Sequence, residues 1–205
     1  KVAFLETEHS SVIEAYSDLP SGNLLLLPVD SSGVVNLKDL ELKLGQDKCR
    51  AISIQWANSE TGVIQPMAEI LKLCELHGTT LHVDAAQAVG KIPLDPELTG
   101  QIDFLTFTAH KLHGPQGLGV IVTGNNQADF GVLFPQPHTR NSPGIIAFGD
   151  VIQERLASNP DHTEYLRSLR DSFEAKLLSL HSELRVNAAE SPRIPNTSNI
   201  QFTGI

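Results

Sequence analysis

Lys111 ends the stretch Asp103-Phe104-Leu105-Thr106-Phe107-Thr108-Ala109-His110-Lys111, and Gly114, Gly117 and Gly119 follow it. An apolar run thus closes on small residues, then His-Lys, then a glycine-rich turn. Upstream, Leu81-His82-Val83-Asp84-Ala85-Ala86-Gln87 brings a second apolar run to an end on an acid. A lysine amine can condense with an aldehyde, and a carboxylate can hold a proton on a ring nitrogen. Together these are what a pyridoxal phosphate (PLP) site requires of its protein.

An unpaired carboxylate at the end of a buried strand is costly, and pairing Asp84 with a pyridinium N–H removes that cost. Taken alone, Asp84 reads as the N-cap of a helix beginning near Ala86. Gln87, one helical turn further on, can donate to a phenolic oxygen; alone it reads as an exposed helix residue. Lys111 needs surroundings that free its amine, which burial or a neighbouring cation can provide. His110 is suited to a phosphate or to proton transfer, and the Thr108 hydroxyl to a phosphate oxygen. His9, in Thr7-Glu8-His9-Ser10-Ser11-Val12, follows the first strand, where an imidazole can stack on a ring and shuttle protons. By itself it reads as a capping or core histidine. The polar turn Trp56-Ala57-Asn58-Ser59-Glu60-Thr61-Gly62 follows another strand. His77, His113, His162 and His181 have no metal-ligand spacing, so no metal site is expected.

Alternating strands and helices position these residues. Strands are expected at Val2–Leu5, Leu24–Pro28, Arg50–Gln55, Leu81–Asp84, Phe104–Thr108 and Leu118–Thr123. Helices are expected at Ser11–Leu19, Leu37–Leu44 (stopped by Gly45) and Pro66–His77, which has Pro at its start and Gly78 past its end. The alternation predicts an α/β fold with a mostly parallel sheet flanked by helices. Ligands bind such sheets at the C-terminal strand ends, where Asp84 and Thr108–Lys111 fall. From about Ile145 the pattern changes. Helices are expected at Ile145–Leu156 and Thr163–His181, the latter carrying Leu166, Leu169, Phe173, Leu177 and Leu178 at helical spacing. Strands at Leu184–Asn187 and Thr197–Phe202 then begin another layer. The expected division is 1–144 for the cofactor-binding domain and 145–205 for connecting helices and the start of a small α+β domain.

The 205 residues carry a net charge of −9, with 40% hydrophobic residues. Acids and bases are interspersed, which argues against a broad nucleic-acid surface and against anionic membranes. No apolar run is long enough to cross a bilayer. Cys49 and Cys74 form no disulfide framework, so a reducing compartment is expected and both read as packing residues. The start, Lys1-Val2-Ala3-Phe4-Leu5-Glu6, has neither signal-peptide layout nor initiator Met. The expectation is a chain that begins inside a longer protein, in the cytoplasm or an organelle matrix.

Together the segments Glu8-His9-Ser10-Ser11-Val12, Asn58-Ser59-Glu60-Thr61-Gly62, His82–Gln87, Gly90-Lys91 and Thr108–Lys111 with Gly114-Pro115 and Gly117-Leu118-Gly119 resemble a known family. They are similar to the cysteine desulfurase and selenocysteine lyase branch of the class V aminotransferases, which are fold-type I PLP enzymes. The likeness runs from His9 to Asn141. It implies that Lys111 carries PLP covalently, Asp84 pairs with the ring nitrogen, Gln87 bonds the phenolic oxygen, His9 stacks on the ring, and Thr108 and His110 hold the phosphate. Asn58 and Ser59 would contact the cofactor, Ser59 standing where the branch carries a second Asn. Phe134–Asn141 reads as a shortened remnant of a glycine-rich motif, with Thr139 reaching phosphate across a homodimer interface. The implied activity removes sulfur from L-cysteine to give alanine and an enzyme persulfide. That sulfur would pass to an acceptor scaffold protein, as in iron–sulfur cluster assembly. The phosphate-binding turn expected before His9 and the sulfur-accepting cysteine loop expected after Ile205 are not in the sequence, so the chain reads as a piece of a desulfurase-like protein. The alternatives are a selenocysteine lyase, a class V aminotransferase, and a truncated non-catalytic dimerisation or interaction module.

Overall fold

The computed structural model describes residues 1–124, 140–157 and 160–203. Six strands form one sheet: β1 (Val2–Leu5), β2 (Leu24–Leu27), β3 (Ala51–Gln55), β4 (Thr80–Asp84), β5 (Phe104–Thr108) and β6 (Gly119–Thr123). Their order is β2-β1-β3-β4-β5-β6. The first five run parallel, and β6 runs antiparallel to β5. A parallel partner needs a crossover of a dozen or more residues, usually through a helix. Between β5 and β6 the chain instead makes a 3₁₀ turn, Ala109–Leu112, and a bend at Gly117 with φ +78°. The short return leaves only the reversed direction open.

Helices α1 (Ser10–Ala15), α2 (Leu37–Asp47), α3 (Met67–His77) and α4 (Pro96–Gln101) lie between the strands. Leu40 and Leu44 from α2, Ile70, Leu71 and Cys74 from α3, and Ile102 pack with Leu5, Leu27, Ile52, Ile54, Leu81, Val83 and Leu105 from the sheet. Cys49 and Cys74 are free thiols buried in this core. Burial pushes the Cys74 thiol up to about 12.

Three local expectations differ from the structure. Helix α2 does not stop at Gly45 but runs to Asp47, with Lys48 as its left-handed C-cap. Gly45 instead lets α3 approach, since a Cβ there would lie 3.2 Å from His77 Cε1. The expected helix near Ala86 is only a turn, in which the N–H groups of Ala88 and Val89 donate to the Ala85 carbonyl. Gly90, at φ +71°, ends it. Helix α4, capped by Asp95, had no counterpart in the sequence reading.

Beyond the sheet lie α5 (Ser142–Leu156), α6 (Pro160–Leu180) and the antiparallel pair β7 (Leu184–Val186) and β8 (Ile200–Phe202). The 144/145 boundary falls inside the first turn of α5, whose N-cap Asn141 accepts from Gly144 N–H. Phe148 of α5 is buried against Ala109 and Leu112, and its ring meets Phe107 edge-on with centroids 6.0 Å apart. This packing fixes the 3₁₀ turn that carries Lys111. Residues 192–194 lie along the chain that follows β3. Ile64 N–H donates to Pro192 O, Ile194 N–H donates to Gly62 O, and Val63 bridges Arg193. Arg193 also forms a two-pronged ion pair with Glu174 of α6, at 2.7 and 2.9 Å.

Candidate active site

The strand order reverses direction at β1, and crevices for ligands open at the C-terminal strand ends beside such a reversal. Across the sheet, register aligns Gln55 with Asp84, Asp84 with Thr106, and Thr106 with Ile121. Above this row is a cavity of about 530 Å³ lined by His9, Ser59, Asp84, Gln87, Thr108, His110 and Lys111, together with Gln55 and Thr106. Seven of the residues singled out from sequence therefore meet at one place. Thr139 lies outside the described residues.

Asn58 is not among the cavity's lining. Its Oδ1 accepts from the N–H groups of Glu60 and Thr61, and its Nδ2 donates to Thr7 O. The side chain thereby shapes the turn that presents Ser59. It also faces an adjoining groove with Glu8 and His9.

Asp84 Oδ1 accepts the Ala86 N–H at 2.9 Å. Its Oδ2 takes no hydrogen bond among the described residues. Beneath Asp84, on the same side of β4, His82 bonds Ser53 Oγ through Nδ1 and Thr106 Oγ1 through Nε2, at 2.7 and 2.9 Å. Burial pushes the His82 imidazole below its usual range, with the nearby Asp84 partly opposing. Such a ring is neutral, with one nitrogen donating and the other accepting, so it ties the Ser53 and Thr106 hydroxyls into one row.

His9 caps α1. Its Nδ1 accepts the Ser11 N–H at 3.2 Å and lies 2.8 Å from Ser11 Oγ. A neutral ring in this bond carries its proton on Nε2. Lys111 is exposed, so of the two expected settings, burial or a neighbouring cation, it has the second. It stands between the main cavity and a smaller one of about 240 Å³ lined also by Lys91, His113 and Arg155. The neighbouring cation is Lys91, whose amine is pushed down to about 8 by burial and by Lys111.

Sequence reasoning gave no role to Glu8, Gln55, Thr106 or Lys91. Glu8 is 6% exposed, and Gln55 is likewise buried. Their one legible signal was position, since Glu8 and Gln55 are polar residues at or just past the ends of apolar strands.

Residues 1–130 match the family described as Aminotransferase class-V. The chain belongs to the class V aminotransferase family. Curated relatives of this class V chain include a cysteine desulfurase of Nostoc sp., 34% identical over 96% of this chain and 51% of the relative. Another is the cysteine desulfurase NifS of Azotobacter vinelandii, 33% identical over 95% of this chain and 50% of the relative. Among solved structures, a NifS-like protein from Rickettsia africae superposes with a TM-score of 0.90 at 25% identity, covering 100% of this chain and 58% of that one. A second NifS-like protein gives 0.88 at 29% identity, covering 100% and 58%. The chain spans about half the length of the curated relatives it matches.

Class V aminotransferases are PLP-dependent in general, and the cavity's chemistry fits that cofactor. Thr108 Oγ1 is buried and has no hydrogen-bond partner among the described residues. A buried hydroxyl without a partner is uncommon in folded proteins and points to a missing ligand atom. With His110 and Lys111 alongside, that atom suits an anionic oxygen.

Proposed function

We propose that this chain forms the PLP-binding part of a cysteine desulfurase that takes sulfur from L-cysteine and leaves alanine. The observation carrying this reading is the single cavity that unites Asp84, Gln87, Lys111 and the unpartnered Thr108 hydroxyl. When bound, PLP supplies an electron sink for charge that develops on the amino-acid substrate.

The chain's own residues supply binding, orientation and proton control. Asp84 holds a proton at the ring nitrogen, using an oxygen not committed to Ala86. Gln87 donates from Nε2 to the phenolic oxygen. His9, held through Nδ1 by Ser11, lies against the ring and offers Nε2 for proton transfer. Thr108 Oγ1 and His110 bind phosphate oxygens, and Lys111 provides the covalent attachment. Ser59 faces the cavity and serves a shorter reach than the Asn of this branch would. Asn58 supports it through the turn. Thr139 of a second copy would reach the phosphate in a homodimer. Residues 1–144 act as the cofactor domain and 145–205 as the start of the small domain. An acceptor scaffold protein would take the sulfur.

The test is to incubate folded protein with PLP, reduce with borohydride and map the modified peptide by mass spectrometry. A pyridoxyl adduct on Lys111, lost in Lys111→Ala with the fold kept, is the expected result. No adduct on a folded chain overturns the reading and favours a non-catalytic interaction module. Given an adduct, sulfide with alanine supports the desulfurase, selenide release a selenocysteine lyase, and a keto acid product an aminotransferase.

A further inference from the structure

Glu8 is the one buried acid near the cavity that the scheme above leaves without a task. It lies three residues past the end of β1, between Thr7 and His9. Its Oε1 accepts the backbone N–H of Gln55, at the C-terminal end of β3. Its Oε2 is buried with no hydrogen-bond partner among the described residues. No ion pair among the described residues includes Glu8. The groups that face it are the Asp84 carboxylate from β4 and the Tyr16 hydroxyl at the end of α1, with His9 next along the chain. From β3 it meets the uncharged Gln55. Glu6 and Glu60 line the adjoining groove.

A carboxylate with a buried, unpartnered oxygen is costly, and a second carboxylate nearby makes two negative charges costlier still. Desolvation, with Asp84 adding to it, holds the Glu8 carboxyl protonated up to about 8, against the opposing pull of the Gln55 and His9 N–H groups. A cation arriving at Asp84 would cancel that carboxylate's share and lower the proton affinity of Glu8, while burial, the larger cause, stays in place.

We propose that Glu8 is a positioning residue for Asp84: a neutral acid in the chain without ligand, whose hold on its proton weakens when a cationic ring nitrogen pairs with Asp84, so that a fraction of that proton passes to solvent. This rests on the proposed pairing of Asp84 with the PLP ring. Glu8 would then make affinity for the ring pH-dependent, tightening it as pH rises toward neutrality and just beyond. By staying neutral beforehand it keeps Asp84 the only full negative charge at that point.

The test begins without cofactor. Carboxyl ¹³C NMR of glutamate-labelled protein, assigned with Glu8→Gln, should show one glutamate titrating near pH 8. In Asp84→Asn that midpoint should fall, because the neighbouring charge is gone. A merely structural Glu8 would not respond to Asp84. PLP binding is then followed calorimetrically at pH 7 in two buffers of different ionisation enthalpy. Wild type should release more protons than Glu8→Gln, which keeps an oxygen for the Gln55 N–H. A midpoint in the ordinary carboxyl range, or equal proton release by the two proteins, overturns the inference while leaving PLP binding intact. Failure of folded wild type to bind PLP overturns the functional reading and the coupling together. If Glu8→Gln does not fold, the Asp84→Asn comparison of the same resonance still decides.

Discussion

Nζ of Lys91 donates a hydrogen bond to Oε1 of Gln87. An amide whose oxygen is held this way turns its NH₂ donors toward a ligand on the other side. Lys91 therefore sets which end of Gln87 is offered to the cavity.

Lys91→Met should release that orientation. PLP affinity is expected to fall about tenfold, as for the loss of one well-placed hydrogen bond. The pH profile should also change. The Lys91 amine sits at about 8 against an ordinary 10.5, so between those values the unfolded chain binds the extra proton. Stability contributed by this group therefore rises as pH climbs from 8 to 10.5, and it is lowest below 8. Urea midpoints across that window should show the rise in wild type and not in Lys91→Met.

Thr108→Val removes a buried hydroxyl that has no partner among the described residues. Deleting an unsatisfied polar group is neutral or stabilising, so the thermal midpoint should hold or rise. PLP affinity should nevertheless drop by about tenfold. A large loss of stability would mean that the hydroxyl serves the fold instead.

Gly90→Ala places a Cβ 2.7 Å from Leu112 Cδ2 at a φ of +71°. Leu112 is the neighbour of Lys111, so the clash falls on the turn carrying the amine. The expected cost exceeds about 1 kcal/mol, with a lower yield of borohydride-trapped adduct. Gly22→Ala meets nothing within 4 Å and should stay within about 0.5 kcal/mol of wild type.

Glu174→Gln breaks a buried ion pair whose side chains are 5% and 10% exposed. Leaving Arg193 without its charge partner should cost about 3 kcal/mol in urea denaturation. The Arg193 bond holds the Glu174 carboxyl below its ordinary range. That stabilisation is present above an unfolded value near 4.5 and is lost as pH falls below it. The acid-side slope of wild-type stability should shrink in the variant.

β3 to β6 were legible because each is a short, mostly apolar run closing on a polar residue, at Gln55, Asp84, Thr108 and Thr123, and β1 and β2 because each is an unbroken apolar run. The direction of β6 was not, since no side-chain pattern encodes it; the brevity of the return from Thr108 does. Gly45 read as a helix stop because its packing partner, His77, lies on another helix. Asp84, Gln87, Thr108, His110 and Lys111 were legible because their chemistry is concentrated in two short stretches. Glu8 and Gln55 are 47 positions apart, and their contact exists only because β1 lies beside β3. Lys91 could be quoted in a motif, yet its action on Gln87 depends on a turn where a helix was expected.

The clamp between residues 192–194 and 62–64 gives the molecule a mechanical linkage. Glu174 grips Arg193, Arg193 bridges Val63, and the turn from Asn58 to Gly62 ends where that bridge begins. Static contacts thus run without a gap, like a connecting rod, from α6 to the turn that carries Ser59 at the cavity. A segment more than a hundred residues later in the sequence is thereby tied to one wall of the cavity.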